Sequence, residues 1–182
     1  MRVRFTSLFL AILFVPTLAL ADSHKADFTG GYADGTGGSR LKGFGVAAAL
    51  HAPATVPHRL TWLVDYSHRS GTDNGVTVKQ DAWLFGARAM LTPPSCKLKF
   101  FAEGLFGPVN TNDGVTSGYK KAGGIGLGAE YFPTKAVPTQ RGYDTQTNLG
   151  LRVQVDHVWR SERGDFTRVY VGLVYRLIEA KK

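Results

Sequence analysis

One cysteine, Cys96, is all that this chain of 182 residues contains, so no internal disulfide can staple it. None of its five histidines, His24, His51, His58, His68 and His157, is spaced with that cysteine or with another histidine as metal ligands are. No metal and no cofactor are expected. Beyond residue 20 there is no run of 18 uninterrupted apolar residues and no sustained heptad repeat, which argues against both a helical membrane protein and a coiled coil. Low-complexity tracts and shifts in composition are missing too, and the length suits one domain.

What is present begins with a leader. Arg2 and Arg4 are followed by an almost wholly apolar stretch from Ser7 to Leu20 and by the small-x-small triplet Ala19-Leu20-Ala21. This is the layout of a secretory signal peptide over residues 1–21, cut before Asp22, leaving a domain over 22–182. Asp22 is not a cysteine, so the mature chain would not be a lipoprotein. With Arg2 and Arg4 removed, 20 Lys+Arg stand against 14 Asp+Glu. An exported basic protein is not expected to meet nucleic acid; lipopolysaccharide phosphates and anionic lipid headgroups are the natural substitutes.

The mature chain repeats one motif: seven to twelve residues alternating apolar with polar or small, then a patch of Gly, Pro, Asn, Asp or Ser. From Asn148 to Trp159, Leu149, Leu151, Val153, Val155, His157 and Trp159 share one face, while Asn148, Gly150, Arg152, Gln154 and Asp156 share the other. Phe166 to Leu177 repeats this. Gly124 to Phe132, Arg59 to His68, Lys42 to Leu50, Asp27 to Ala33, Leu98 to Gly107 and Gln80 to Met90 bring the number of segments to eight, the last also being compatible with a helix. The spans 33–41, 51–58, 69–79, 92–97, 107–122, 133–147 and 160–165 read as connections, with Cys96 a bystander in one of them.

Alternation alone does not say whether the apolar face meets a core or lipid. The polar faces decide it. They are built from Gly and Ala with isolated ionisable groups: Asp65, Arg88, Lys99, Glu103, Glu130, Arg152, Asp156, Arg168 and Arg176. Eight strands close into a barrel just wide enough for its side chains to fill, so a long Arg on one strand needs a Gly or Ala opposite. Enclosed charges must pair, and these nine are predicted to form an internal salt-bridge network. The other faces carry Leu, Val, Phe, Tyr, Ala and Trp with no charge in mid-strand, as hydrocarbon contact demands. The expectation is an all-β, closed antiparallel eight-stranded up-and-down transmembrane β-barrel.

In its leader, its eight alternating segments and its enclosed Arg/Glu/Asp set, the chain resembles the small eight-stranded bacterial outer-membrane barrels, the opacity-type proteins and the membrane domain of outer-membrane protein A. That resemblance implies the outer membrane as location, the outer-membrane assembly machinery as partner and a monomer. Two features depart from the pattern. The last strand runs on past Tyr175-Arg176-Leu177 without a terminal aromatic, and the 133–147 connection is long for a periplasmic turn.

Chemistry-bearing patterns are few. Gly124 to Ala129 matches G-x-G-x-x-A, yet Glu130-Tyr131-Phe132-Pro133 cannot open the helix that a dinucleotide site needs. Ser67 and His68 are strand neighbours pointing to opposite faces, so they cannot act as nucleophile and base. No catalytic residue is expected. Arg40, Lys42, Arg69, Lys120, Lys121, Arg160 and Arg163 are placed in or beside external loops, where they could contact lipopolysaccharide phosphates. A structural or surface-interaction barrel is therefore the first reading. An outer-leaflet lipid A-modifying enzyme and a soluble periplasmic lipocalin-like barrel are the rivals, and eight strands leave little lumen for a porin-like pore.

Overall fold

The computed structural model describes residues 26–37, 39–51, 60–92, 97–133, 137–138, 145–161 and 164–179. The expected leader, Cys96 and Arg163 lie outside these residues. Eight long strands are described: β1 (Ala26–Gly37), β2 (Ser39–His51), β3 (Leu60–Asp73), β4 (Val76–Met90), β5 (Leu98–Asn112), β6 (Ser117–Tyr131), β8 (Thr145–Arg160) and β9 (Phe166–Glu179). A two-residue β7 (Val137–Pro138) pairs beside β8 at Gln146 and Thr147. Each long strand pairs antiparallel with the next, β6 pairs with β8, and β9 returns to β1, so the sheet closes. The Gln80 to Met90 segment, for which a helix was the alternative, lies wholly within β4.

Closure has a definite stagger. The register leads from Tyr32 through Phe44, His68, Asp81 and Asn110 to Tyr119 on β6. In the other direction it leads from Tyr32 through Val171 and Val153 to Ala129 on the same strand, a shift of ten residues. A shear of this size tilts the strands steeply, by roughly 35–45° in barrels of this kind.

Period two holds along the strands. On β3, Thr61, Leu63, Asp65, Ser67 and Arg69 are buried while Trp62, Val64, Tyr66 and His68 look outward. Inside, room is made by residues lacking bulk. A Cβ on Gly126 would stand 2.1 Å from Asp156 Oδ1, and one on Gly128 would stand 2.3 Å from the Phe101 ring. Those glycines belong to the G-x-G-x-x-A stretch, which runs through the middle of β6. Outside, 24 large apolar or aromatic side chains of the described residues are exposed, among them Leu151, Val153, Leu173 and Trp62. Fully burying one such side chain stabilises by about 1.5–3 kcal/mol, so water is a costly medium for this surface and hydrocarbon the fitting one.

The hairpins differ from the sequence expectation. Spans 33–41, 69–79 and 107–122 are connections in the sequence expectation, but the ladders continue through most of them: β1 pairs with β2 up to Gly37 and Ser39, and Asn74-Gly75 and Asp113 to Thr116 are left as turns. A paired ribbon keeps its backbone hydrogen bonds in water as well as in lipid, so polar composition alone does not end it. Asn74 and Gly75 both have positive φ, 49° and 82°, as a two-residue type I′ turn requires. At the end of the barrel where β1 begins, β2 ends at His51 and β3 starts at Leu60, β4 ends at Met90 and β5 starts at Leu98, and β6 ends at Tyr131 and β8 starts at Thr145. An arginine at Val171, in the middle of the apolar wall, is expected to cost about 2–4 kcal/mol in a bilayer. Urea unfolding in lipid vesicles measures this, and an unchanged midpoint would contradict the lipid-facing assignment.

Candidate functional site

The inward phase of the strands converges on one polar network. Arg168 on β9 reaches Asp65 on β3, and its Nη2 lies 2.7 Å from Asp156 Oδ2 on β8. It also donates to the Ser67 hydroxyl at 3.2 Å. Gln154 carries the chain onward, its amide nitrogen donating to Asp156 Oδ1 at 2.8 Å and to Glu103 Oε1 at 2.6 Å. Arg88 holds the other oxygen of Glu103, with Nη2 at 2.8 Å, and lies 3.8 Å from Glu130. Glu130 pairs with Arg152 and, at 2.7 Å, with Arg176. Arg176 ends the network on Asp27, donating from Nε at 2.7 Å and from Nη2 at 2.9 Å.

Every long strand except β2 contributes. The inward residues Gly43, Gly45, Ala47 and Ala49 of β2 are the space into which the others reach; the Tyr170 hydroxyl crosses to donate to the Gly45 carbonyl at 3.3 Å. Three phenylalanine rings complete the filling, each beside two cations. Arg88 and Arg152 lie 4.5 and 5.2 Å from Phe101, Arg176 and Lys99 lie 4.5 and 5.4 Å from Phe132, and Arg69 and Arg160 lie 4.4 and 5.2 Å from Phe166. Charges withdrawn from water thus meet opposite charges, hydrogen-bond partners and ring faces.

Eight of the nine residues assigned to the interior from the sequence stand in these ion pairs, and Lys99 stands half-buried on Phe132. Sequence reasoning missed Asp27, Gln154 and Tyr170. Gln154 shares the polar face with Arg152 and Asp156, as alternation predicts, but carries no charge to mark it as a member of the network. Asp27 begins the first strand on the inward phase, a position overlooked beside Phe28 and Tyr32.

Arg69 requires a correction. Expected at the external rim, it is 1% exposed and points into the barrel, where it donates to Gln80. Because β3 continues past His68, Arg69 keeps the phase of Asp65 and Ser67. Strand phase divides the remaining rim cations as well. Lys120 and Arg160 are half-buried on the inward phase, and Arg160 donates to Thr111 Oγ1 at 3.1 Å and to the Gly164 carbonyl. Arg40, Lys42 and Lys121 are exposed on the outer wall, with Arg40 holding Asp34 at 2.7 Å. Ser67 faces in and His68 faces out, where its Nδ1 lies 2.7 Å from Asp81. His157, also outward, lies 3.3 Å from the Thr167 hydroxyl and 3.9 Å from Asp165.

A closed eight-stranded sheet with ions inside and apolar side chains outside defines the fold of the small outer-membrane barrels. No family model and no curated protein sequence matches the chain. Among solved structures it is similar to the Neisserial surface protein A, at 12% identity and TM-score 0.50, covering 84% of this chain and 95% of that one. It is likewise similar to the N-terminal β-barrel domain of Pseudomonas aeruginosa OprF (12%, TM-score 0.51, 85% and 98%). The attachment invasion locus protein Ail of Yersinia pestis matches at 10% and TM-score 0.52, over 85% and 99%. At these identities the likeness is one of fold.

Removing one partner from such a network leaves buried charges uncompensated, whereas neutralising the whole cluster does not. Arg168→Met is expected to cost about 3–5 kcal/mol. The triple variant Asp65→Asn, Asp156→Asn, Arg168→Met should recover most of that loss. The temperature at which unboiled protein shifts to its unfolded mobility on a detergent gel reports both.

Proposed function

We propose that the chain is an outer-membrane barrel with a structural or surface-interaction role, delivered by its leader, sealed through its middle, and active without catalysis. The observation that carries this reading is the polarity of the wall: exposed apolar side chains outside, paired ions within. A soluble ligand-binding barrel would reverse it. An outer-leaflet enzyme built on Ser67 and His68 is disfavoured by their opposite faces, Ser67 being engaged by Arg168 inside.

With both ends of the chain on the periplasmic side, the short hairpins face outward, and so do Arg40, Lys42, Lys79 and Lys121 on the outer wall near them. Cations there suit the phosphates of lipopolysaccharide. The compact external turns make the wall and the hairpin ribbons, rather than long loops, the surface offered to partners.

Density-gradient fractionation is expected to place the protein in the outer membrane, with faster gel mobility unboiled than boiled. Planar bilayers should show no steady conductance, and the lipid A mass spectrum of expressing cells should be unchanged. Recovery in the soluble periplasm would overturn the barrel's membrane role, and a shifted lipid A spectrum would overturn the absence of catalysis.

A further inference from the structure

On the outer wall, just beyond the apolar band, β2, β3 and β4 build a polar cluster that the interior network does not use. His68 and Asp81 are register partners facing outward. The imidazole Nδ1 lies 2.7 Å from Asp81 Oδ1, and the Tyr66 hydroxyl donates to the same oxygen at 3.0 Å. The floor is aromatic: Tyr66 lies 4.5 Å from Trp83 between ring centroids and 6.1 Å from Phe44, and Phe44 lies 5.8 Å from His68. One outward row further along, Lys42, Ser70 and Lys79 stand side by side and exposed on β2, β3 and β4. Adjacent strands are about 4.8 Å apart, so the two lysine backbones bracket Ser70 across roughly 10 Å.

Three chemical demands meet here. Asp34, the register partner of Lys42, has both oxygens on Arg40 and only a through-space attraction to Lys42, which stands exposed on the outer wall. Lys79 projects from the other side of the row. Two ammonium groups in line call for a phosphate-bearing ligand. With Asp81 accepting from Nδ1–H, the second ring nitrogen of His68 is left to accept a hydrogen bond from a sugar hydroxyl. Phe44, Tyr66 and Trp83 below offer ring faces to a sugar or to the start of an acyl chain.

We propose that this wall site binds a phosphorylated glycolipid of the outer leaflet through its sugar-phosphate headgroup, with Lys42 and Lys79 on phosphate and His68 on the sugar. It rests on the reading of the chain as an outer-membrane barrel. An ordinary phospholipid satisfies the lysines but offers no sugar to His68 and the rings. The site therefore favours lipid A over phosphatidylglycerol.

The test uses the intact barrel in phosphatidylcholine nanodiscs doped with lipid A, with phosphatidylglycerol, or with neither. Lipid retained per barrel after mild detergent extraction is counted by native mass spectrometry, with inorganic phosphate as a soluble competitor. The Lys42→Ala, Lys79→Ala double variant should retain lipid A about 30-fold less tightly, at about 1 kcal/mol per cation near an anionic surface. His68→Phe keeps the aromatic floor and should lose the preference for lipid A over phosphatidylglycerol. Equal retention of lipid A by wild type and double variant overturns the site, as does equal retention of the two lipids by wild type or displacement by inorganic phosphate. Gel mobility and outer-membrane fractionation are measured first. If wild type fails those, the barrel reading fails, whereas if both proteins pass and retention does not differ, the lipid site alone is wrong.

Discussion

A guanidinium enclosed by eight strands has no water to fall back on, and the arrangement of this barrel depends on how that constraint is met. Arg88, Arg152, Arg168 and Arg176 lie within the wall, and each finds a carboxylate on another strand. The carboxylates are as constrained as the cations, since Glu130 alone answers to three arginines. Because the partners sit on different strands, the network opposes any slip in register: a one-residue slide would turn every inward charge to the outer face.

The rest of the architecture follows from giving those side chains room and isolation. Glycines on the inward phase of β6 and the small inward residues of β2 admit long side chains from across the barrel. Phe101, Phe132 and Phe166 divide the interior and lay their faces against cations that carboxylates do not fully surround. With polar groups drawn inward, the outer face is left apolar. Closure then satisfies every strand edge, the one solution for a sheet in hydrocarbon. Beyond the apolar band the ladders continue as short-turned ribbons, so the outward cations belong to the wall and share it with the aromatic row below them.

Much of this was legible in the residues. Period-two alternation located the eight long strands, and the odd company on the inward phase, glycines beside Arg, Asp and Glu, pointed to a filled interior rather than a watered surface. Arg69 shows where that reading stopped. Alternation reads as a strand up to His68 and the polar span 69–79 as a connection, which places an inward arginine at the rim. The Asn74-Gly75 pair marked the true turn, since its positive φ values suit a two-residue hairpin and leave the ladder intact up to it.

By itself the sequence determined the faces: which side chains share a side of each strand is a local property of the extended backbone, and it specified a barrel with ions on one side and apolar groups on the other. Which charge meets which was decided only by the tertiary structure. Asp65 and Arg168 are 103 residues apart and Asp27 and Arg176 are 149 apart, and they meet because a ten-residue stagger closes the sheet. The Asn74-Gly75 turn sets Ser70 beside Lys79 and His68 beside Asp81, and the pairing of β2 with β3 adds Lys42 to the row. A short hairpin carries its own register, whereas the pairings that close the ring, β9 with β1 and β6 with β8, are set collectively and no single segment carries them.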